Sequence, residues 1–316
     1  MKLISWADFL KWAFVSAVLI LALEACQSPD SEEDYTPHFD DRSGAPSYTA
    51  SYTFAVHPLH NPKLLYKKYQ PLIDFINANV RDFSLKLVAS RDYPTFERKL
   101  FTGRFDFALP NPLQTIVSQS HGYNIVGKMG DDNVFQGIIV MRRDAQVMFV
   151  EDLTGAPLSF PANTALAATL MPKYFLKSRG LDLASNDIHY VGSQESAVMN
   201  VYLNKTVAAG TWPLPWNMLL KARPELGRVL EVKWRTPALV NNGVVARIGL
   251  PPGHVQALLG QLLSLHTHPQ GREILKMLEI SCFEPASTNT YQAVLKFLKD
   301  YAHLFPEEPL FQEIHP

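Results

Sequence analysis

Phe105-Asp106-Phe107-Ala108-Leu109-Pro110-Asn111-Pro112 is the stretch on which the fold turns. Residues 105–109 have the length and apolar composition of a short buried strand. The chemistry then changes within three residues. Asn111 is a strong helix N-cap, and Pro112 suits the first helical position, where its missing N–H is no loss. Gly122 stops this helix about three turns later. A strand that runs straight into a capped helix is the building unit of an α/β fold. Working outward, further short strands are predicted at 85–89, 124–126, 137–141, 157–160, 188–191, 206–209 and 229–234, separated by segments of helical period. The run 164–179 places Leu166, Leu170, Tyr174 and Leu176 on one face and ends at Gly180. Ser193 can cap a helix carrying Ala197, Val198, Val201 and Tyr202. Each of these helices starts just after a strand, so their unpaired first-turn amides point to the sheet edge where α/β proteins bind ligands.

Bulk composition narrows the function. A chain of 316 residues is longer than one hydrophobic core usually supports, which predicts two domains. Its 29 basic and 30 acidic residues leave a net charge of -1, so there is no positive surplus to hold nucleic acid. Cys26 and Cys282 offer no disulfide framework, and Cys282 sits in the apolar stretch Ile280-Ser281-Cys282-Phe283 as a small hydrophobe. No nucleophile elbow, zinc-protease, Walker or dinucleotide motif occurs, and His266-Thr267-His268 lacks a third metal ligand. Binding without turnover, cofactor or metal is therefore expected, with a small molecule as the ligand. At the N-terminus, Lys2 and Lys11 precede an uncharged apolar run over 12–23, too short to span a bilayer and suited to a secretory signal over 1–25. Residues 28–47 are rich in Asp, Glu, Ser and Pro with few aliphatic side chains, so 26–50 is expected to be a flexible tether.

Two resemblances sharpen these expectations. Leu23-Glu24-Ala25-Cys26 resembles a bacterial lipobox, with Glu24 departing from the usual small residue. It implies that Cys26 is lipidated and anchors the mature chain to a membrane facing the periplasm, and Gln27 after it points to the outer membrane. The second resemblance runs from about Tyr52 to about Tyr291. Its segments are Val56-His57-Pro58, the proline-bearing Tyr69-Gln70-Pro71-Leu72-Ile73, Arg91-Asp92-Tyr93, and the opening octapeptide behind Gly103. Glu151-Asp152-Leu153-Thr154-Gly155, Gly192-Ser193-Gln194-Glu195, Pro269-Gln270-Gly271-Arg272 and Phe283-Glu284-Pro285-Ala286 continue the series. In this order they resemble the phosphate/phosphite/phosphonate-binding receptors of bacterial ABC importers, phosphonate-binding-protein-like members of the type II periplasmic binding proteins.

That resemblance implies two α/β lobes joined by two crossover strands, with the ligand cleft between them. The first lobe would comprise residues 51–141 and 242–316, the second 142–241. The implied site contains His57, Tyr93, Pro110, Asn111, Phe135, Gln136, Asn163, Thr164, Ala165, Gln194, Glu195 and Trp212. Asn163-Thr164-Ala165 stands where relatives carry a Ser-Thr-Ser anion loop, so one hydroxyl donor is missing at Ala165. Trp212 replaces a carboxylate, and with Tyr93 and Phe135 it makes the cleft aromatic. His57 and His60 are expected to donate to an anion or titrate near neutral pH. The implied function is a monomeric, lipid-anchored periplasmic receptor that hands a small oxyanion to an ABC permease. A receptor that reports its ligand to a membrane sensor protein needs the same cleft and is the alternative.

Overall fold

In the computed structural model, which describes residues 50–308, strands and helices alternate along the chain. The first stretch is β1 (Ala50–Val56), α1 (Pro62–Asn79), β2 (Phe83–Ala89), α2 (Tyr93–Phe101), β3 (Phe107–Leu109), α3 (Pro112–Ser118) and β4 (Tyr123–Met129). Next come β5 (Gln136–Arg142), β6 (Leu158–Phe160), α4 (Met171–Ser178), β7 (Ile188–Tyr190), α5 (Gln194–Tyr202), β8 (Ala208–Thr211), α6 (Pro213–Ala222), α7 (Leu226–Val229) and β9 (Leu230–Ala238). The chain continues with β10 (Gly243–Arg247), α8 (Pro252–Ser264), α9 (Pro269–Leu278), β11 (Phe283–Pro285) and α10 (Gln292–Leu304). The expected signal, Cys26 and nearly all of the tether lie outside the described residues.

Two sheets result. The first has the order β11-β4-β10-β3-β1-β2, with β1 parallel to both β2 and β3. The second has the order β7-β6-β8-β5-β9, with β6 parallel to both β7 and β8. The chain passes from the first sheet to the second between Met129 and Gln136 and returns between Ala238 and Gly243. This differs from the boundary expected at 141, because β5 pairs with β8 and β9 in the second sheet. Its Ile138, Ile139, Val140 and Met141 are all buried, because alternating side chains enter separate apolar clusters on the two faces of the second sheet.

The two passages are laced together. Asn241 donates from Nδ2 to the Gly130 carbonyl at 2.7 Å and from its backbone N–H to Asp132 at 2.9 Å, while Tyr291 donates to the Asn241 carbonyl at 2.7 Å. Helix α1 keeps its course through Pro71 because Leu65, Tyr69, Leu72, Ile73, Phe75 and Ile76 bury its inner face, outweighing the proline's local cost. Helix α10 reaches from beside α3 to α4, where Phe297 meets Tyr174 at 5.3 Å and the Phe305 ring lies 4.5 Å from the Lys177 ammonium. Beyond it, Glu308 pairs with the buried Lys173.

Candidate functional site

The helix that follows β6 starts as a π turn over Leu166–Leu170 and becomes α-helical at Met171. Pro172 accounts for the wide turn. It has no N–H to give to the carbonyl four residues back, and its ring would collide with that carbonyl in an α-helix. The displaced carbonyls press onto the second sheet where it has no side chains. A Cβ on Gly210 would lie 2.1 Å from the Ala168 carbonyl oxygen, and one on Gly137 would lie 2.7 Å from that of Ala167. Glycine at these two strand positions therefore sets how deep the turn sits.

Five helix starts meet here for one topological reason. The parallel strands β1, β2 and β3 of one sheet and β6, β7 and β8 of the other end toward a common gap, and a helix opens after most of them. Tyr93 is the first residue of α2, capped by Asp92, whose carboxylate accepts from the Thr95 N–H at 2.8 Å. Asn111 caps α3 in a reciprocal box with Gln114, both bonds 3.0 Å long. Gln194 is the first residue of α5 behind the Ser193 cap, and Trp212 holds the cap position of α6. With His57 after β1, Phe135, and Ala165 to Ala168 of the π turn, these residues line one cavity of about 10 Å³, room for about one water.

Side chains zip the gap. Asn111 Nδ2 donates across it to the Thr164 carbonyl at 3.0 Å, and Tyr93 and Gln194, the first residues of α2 and α5, line it from the two sides. Gln194 in turn accepts from the Thr211 hydroxyl at 3.0 Å. The Phe135 and Trp212 rings close one wall in an edge-to-face contact at 5.2 Å. Beside the π turn, the Thr164 hydroxyl is buried without a hydrogen-bond partner among the described residues, a polar group that something else must satisfy. The first-turn amides of a helix likewise lack intrahelical acceptors, and several helix starts in one place add partial positive charge. This is an arrangement for an anion, built without a charged side chain on the cavity wall.

Electrostatics correct one expectation. His57 is buried, and burial lowers its pKa to about 4, opposed by its hydrogen bond to the Leu109 carbonyl at 3.0 Å. Since that carbonyl can only accept, the His57 proton sits on Nδ1. Nε2 then carries a lone pair, so the ring is a neutral acceptor rather than a cation near neutral pH. His60 is pushed down to about 3 by burial and by the neighbouring Lys68 and His57. Burial raises the Tyr93 hydroxyl above the usual tyrosine range, so it stays protonated.

The structure brings together His57, Tyr93, Asn111, Phe135, Ala165, Gln194 and Trp212. Pro110, Gln136, Asn163 and Glu195 do not line the cavity: Pro110 is buried beside Asn111, Gln136 opens β5, and Asn163 and Glu195 are exposed. Thr164 contributes its carbonyl rather than a wall. Leu166, Ala167 and Ala168 were missed, because a helical pattern from 164 onward conceals a π turn that brings these residues to the cavity. Pro172 was the available signal.

Comparison with known proteins gives three results. Residues 54–291 match the model of the family described as ABC transporter, phosphonate, periplasmic substrate-binding protein. No curated protein matches the sequence. Among solved structures, PhnD1 from Prochlorococcus marinus in complex with methylphosphonate has a TM-score of 0.73 at 18% identity, covering 79% of this chain and 97% of that one. A binding-protein component of an ABC phosphonate transporter from Pseudomonas aeruginosa has a TM-score of 0.75 at 14% identity, over 81% and 88% of the two chains. A Xanthomonas citri protein bound to ATP reaches 0.66 at 16%, over 81% and 98%. The fold is that of the type II periplasmic binding proteins.

Proposed function

The chain belongs to the phosphonate family of periplasmic substrate-binding proteins of ABC transporters, and from that membership we propose that it captures a phosphonate or related oxyanion between its two sheets. One observation carries the reading: helix starts from both sheets converge on a single cavity whose polar groups are amides, hydroxyls and carboxamides. Such donors neutralise an oxyanion through aligned dipoles and leave it free to depart. The described cavity admits about one water, and a phosphonate is several times larger. Entry of the ligand therefore requires the Asn111–Thr164 bond to break and the two sheets to part. The passages at 130–135 and 239–242 are the hinge, and the lobes divide there. Ligand contacts to both lobes then replace the protein's own cross-gap bonds and favour closure.

The wider reading follows from the same premise. The signal over 1–25 exports the chain, lipidated Cys26 tethers it in the periplasm, and the loaded monomer delivers its ligand to an ABC permease without altering it. The test is thermal unfolding of the full chain with methylphosphonate, phosphite and phosphate. A ligand at 100 times its dissociation constant stabilises by about 2.7 kcal/mol. Tyr93→Phe and Thr164→Val are expected to reduce that stabilisation while leaving the unliganded melting temperature nearly unchanged. An unaltered response in both variants would move the site elsewhere, and no response to any oxyanion would remove the reading.

A further inference from the structure

A second cavity of about 350 Å³ opens next to the closed one, and Gln194 lines both. Thr211, whose hydroxyl donates to Gln194, belongs to its wall as well. Its lining comes from both sides of the gap: Leu59, Leu64 and Lys68 from the first-sheet side, Val198, Met218 and Leu219 from the second. The floor is aliphatic and the rim is charged. Three cations, Lys68, Lys221 and Arg223, stand there against two carboxylates, Glu195 and Glu279.

The cations differ in how they are matched. Lys221 pairs with Glu279 at 2.7 Å, and Arg223 pairs with Glu225 at 3.0 Å. The Lys68 ammonium donates to the Met277 carbonyl at 2.8 Å, and among the described residues no carboxylate lies within ion-pair distance of it. Lys68 is half-buried, and burial lowers its pKa, with Glu279 opposing and Lys221 and Lys67 adding to the shift. A cation held partly out of water beside a neutral carbonyl is poised to gain from an incoming anion. His60 beside it is neutral and does not compete.

We propose that this second cavity holds the substituent of the ligand, and that the protein selects phosphonates whose short apolar substituent ends in a second acidic group paired with Lys68. The inference rests on the capture of the phosphonate head in the neighbouring cavity. The aliphatic floor takes the carbon chain and Lys68 takes the terminal acid, with Gln194 marking the junction. A phosphonate without a substituent leaves the floor uncovered and the Lys68 ammonium unmatched.

Titration calorimetry on the full chain with methylphosphonate, butylphosphonate and 4-phosphonobutyrate separates the parts. The affinity is expected to rise in that order, at least tenfold from first to last. Lys68→Met is expected to remove the advantage of 4-phosphonobutyrate over butylphosphonate and leave methylphosphonate binding unchanged. Lys68→Gln, which can still donate to the Met277 carbonyl, is expected to do the same should the methionine variant unfold. Ala222→Trp, which fills the mouth from an exposed position, is expected to weaken both longer ligands and spare methylphosphonate. Equal affinities for the three ligands, or an advantage that survives both Lys68 variants while methylphosphonate still binds, overturns the inference and leaves anion capture standing. No binding of any of the three overturns anion capture itself, and this inference with it.

Discussion

Asn111 donates from Nδ2 to the carbonyl of Thr164 at 3.0 Å, joining a helix cap on the first sheet's side to the loop that opens the π turn on the second. One side chain thus holds a local structure and a long-range contact at the same time. Its Oδ1 accepts from the Gln114 N–H, so both ends of the carboxamide are committed.

Asn111→Ala removes the cap and the cross-gap bond together, each worth about 1 kcal/mol. Urea unfolding is expected to show a loss of about 2 kcal/mol. Asn111→Asp retains the cap and places a carboxylate against the Thr164 carbonyl. It is expected to be less destabilised than the alanine variant but weaker in phosphonate binding, through like-charge repulsion. Equal stability losses in the two variants would show that the cap contributes nothing beyond the cross-gap bond, and an aspartate variant as stable as the wild type would show the converse.

Gly210→Ala is expected to cost about 3 kcal/mol, because the new methyl meets the Ala168 carbonyl oxygen at 2.1 Å and backbone has to shift. The π turn then moves toward the cavity, so oxyanion binding falls as well. Gly253→Ala on α8 is the control. Nothing lies within 4 Å of its added Cβ, and the substitution is expected to be neutral or mildly stabilising. Matching effects of the two substitutions would disprove the role assigned to the close approach.

Acid is expected to destabilise the fold over a defined window. The pKa of His57 is about 4 in the fold and 6.5 unperturbed, so between these values the unfolded chain binds the proton and the folded chain does not. Stability is thus unaffected above about pH 6.5 and falls as the pH drops toward 4, by up to about 3 kcal/mol from this residue. The shift of His60 has the same sign. Unfolding free energies of the wild type and His57→Gln at pH 7, 5 and 4 test this, with a flatter profile expected for the variant.

Glu308→Ala leaves Lys173, whose side chain is 4% exposed, as a buried cation without its carboxylate. A loss of about 3 kcal/mol is expected, and Lys173→Met combined with Glu308→Gln should recover most of it, since the double variant leaves no unpaired buried charge and keeps an oxygen to accept from the Tyr301 hydroxyl. An additive double variant would show that the two residues do not depend on each other.

The sequence by itself determined the alternation of short strands with capped helices. Asn111-Pro112, Ser193 and Gly122 act within a few residues, through a cap, a fixed φ and a left-handed turn with φ of 82°, so their effect needs no knowledge of the rest of the chain. The ordered short motifs from Tyr52 to Tyr291 determined the family in the same local way. Tertiary structure decided everything that depends on distance between remote residues. It set β5 in the second sheet, because its hydrogen-bonded partners β8 and β9 lie about 70 to 90 residues away along the chain. It turned His57 into a neutral acceptor, because desolvation and the Leu109 carbonyl act only after the chain has closed around the ring. It also let Gly137 and Gly210 admit a π turn written some 30 residues downstream of one and 40 upstream of the other. Short-range chemistry is legible residue by residue, whereas desolvation and close packing exist only between segments that folding brings into contact.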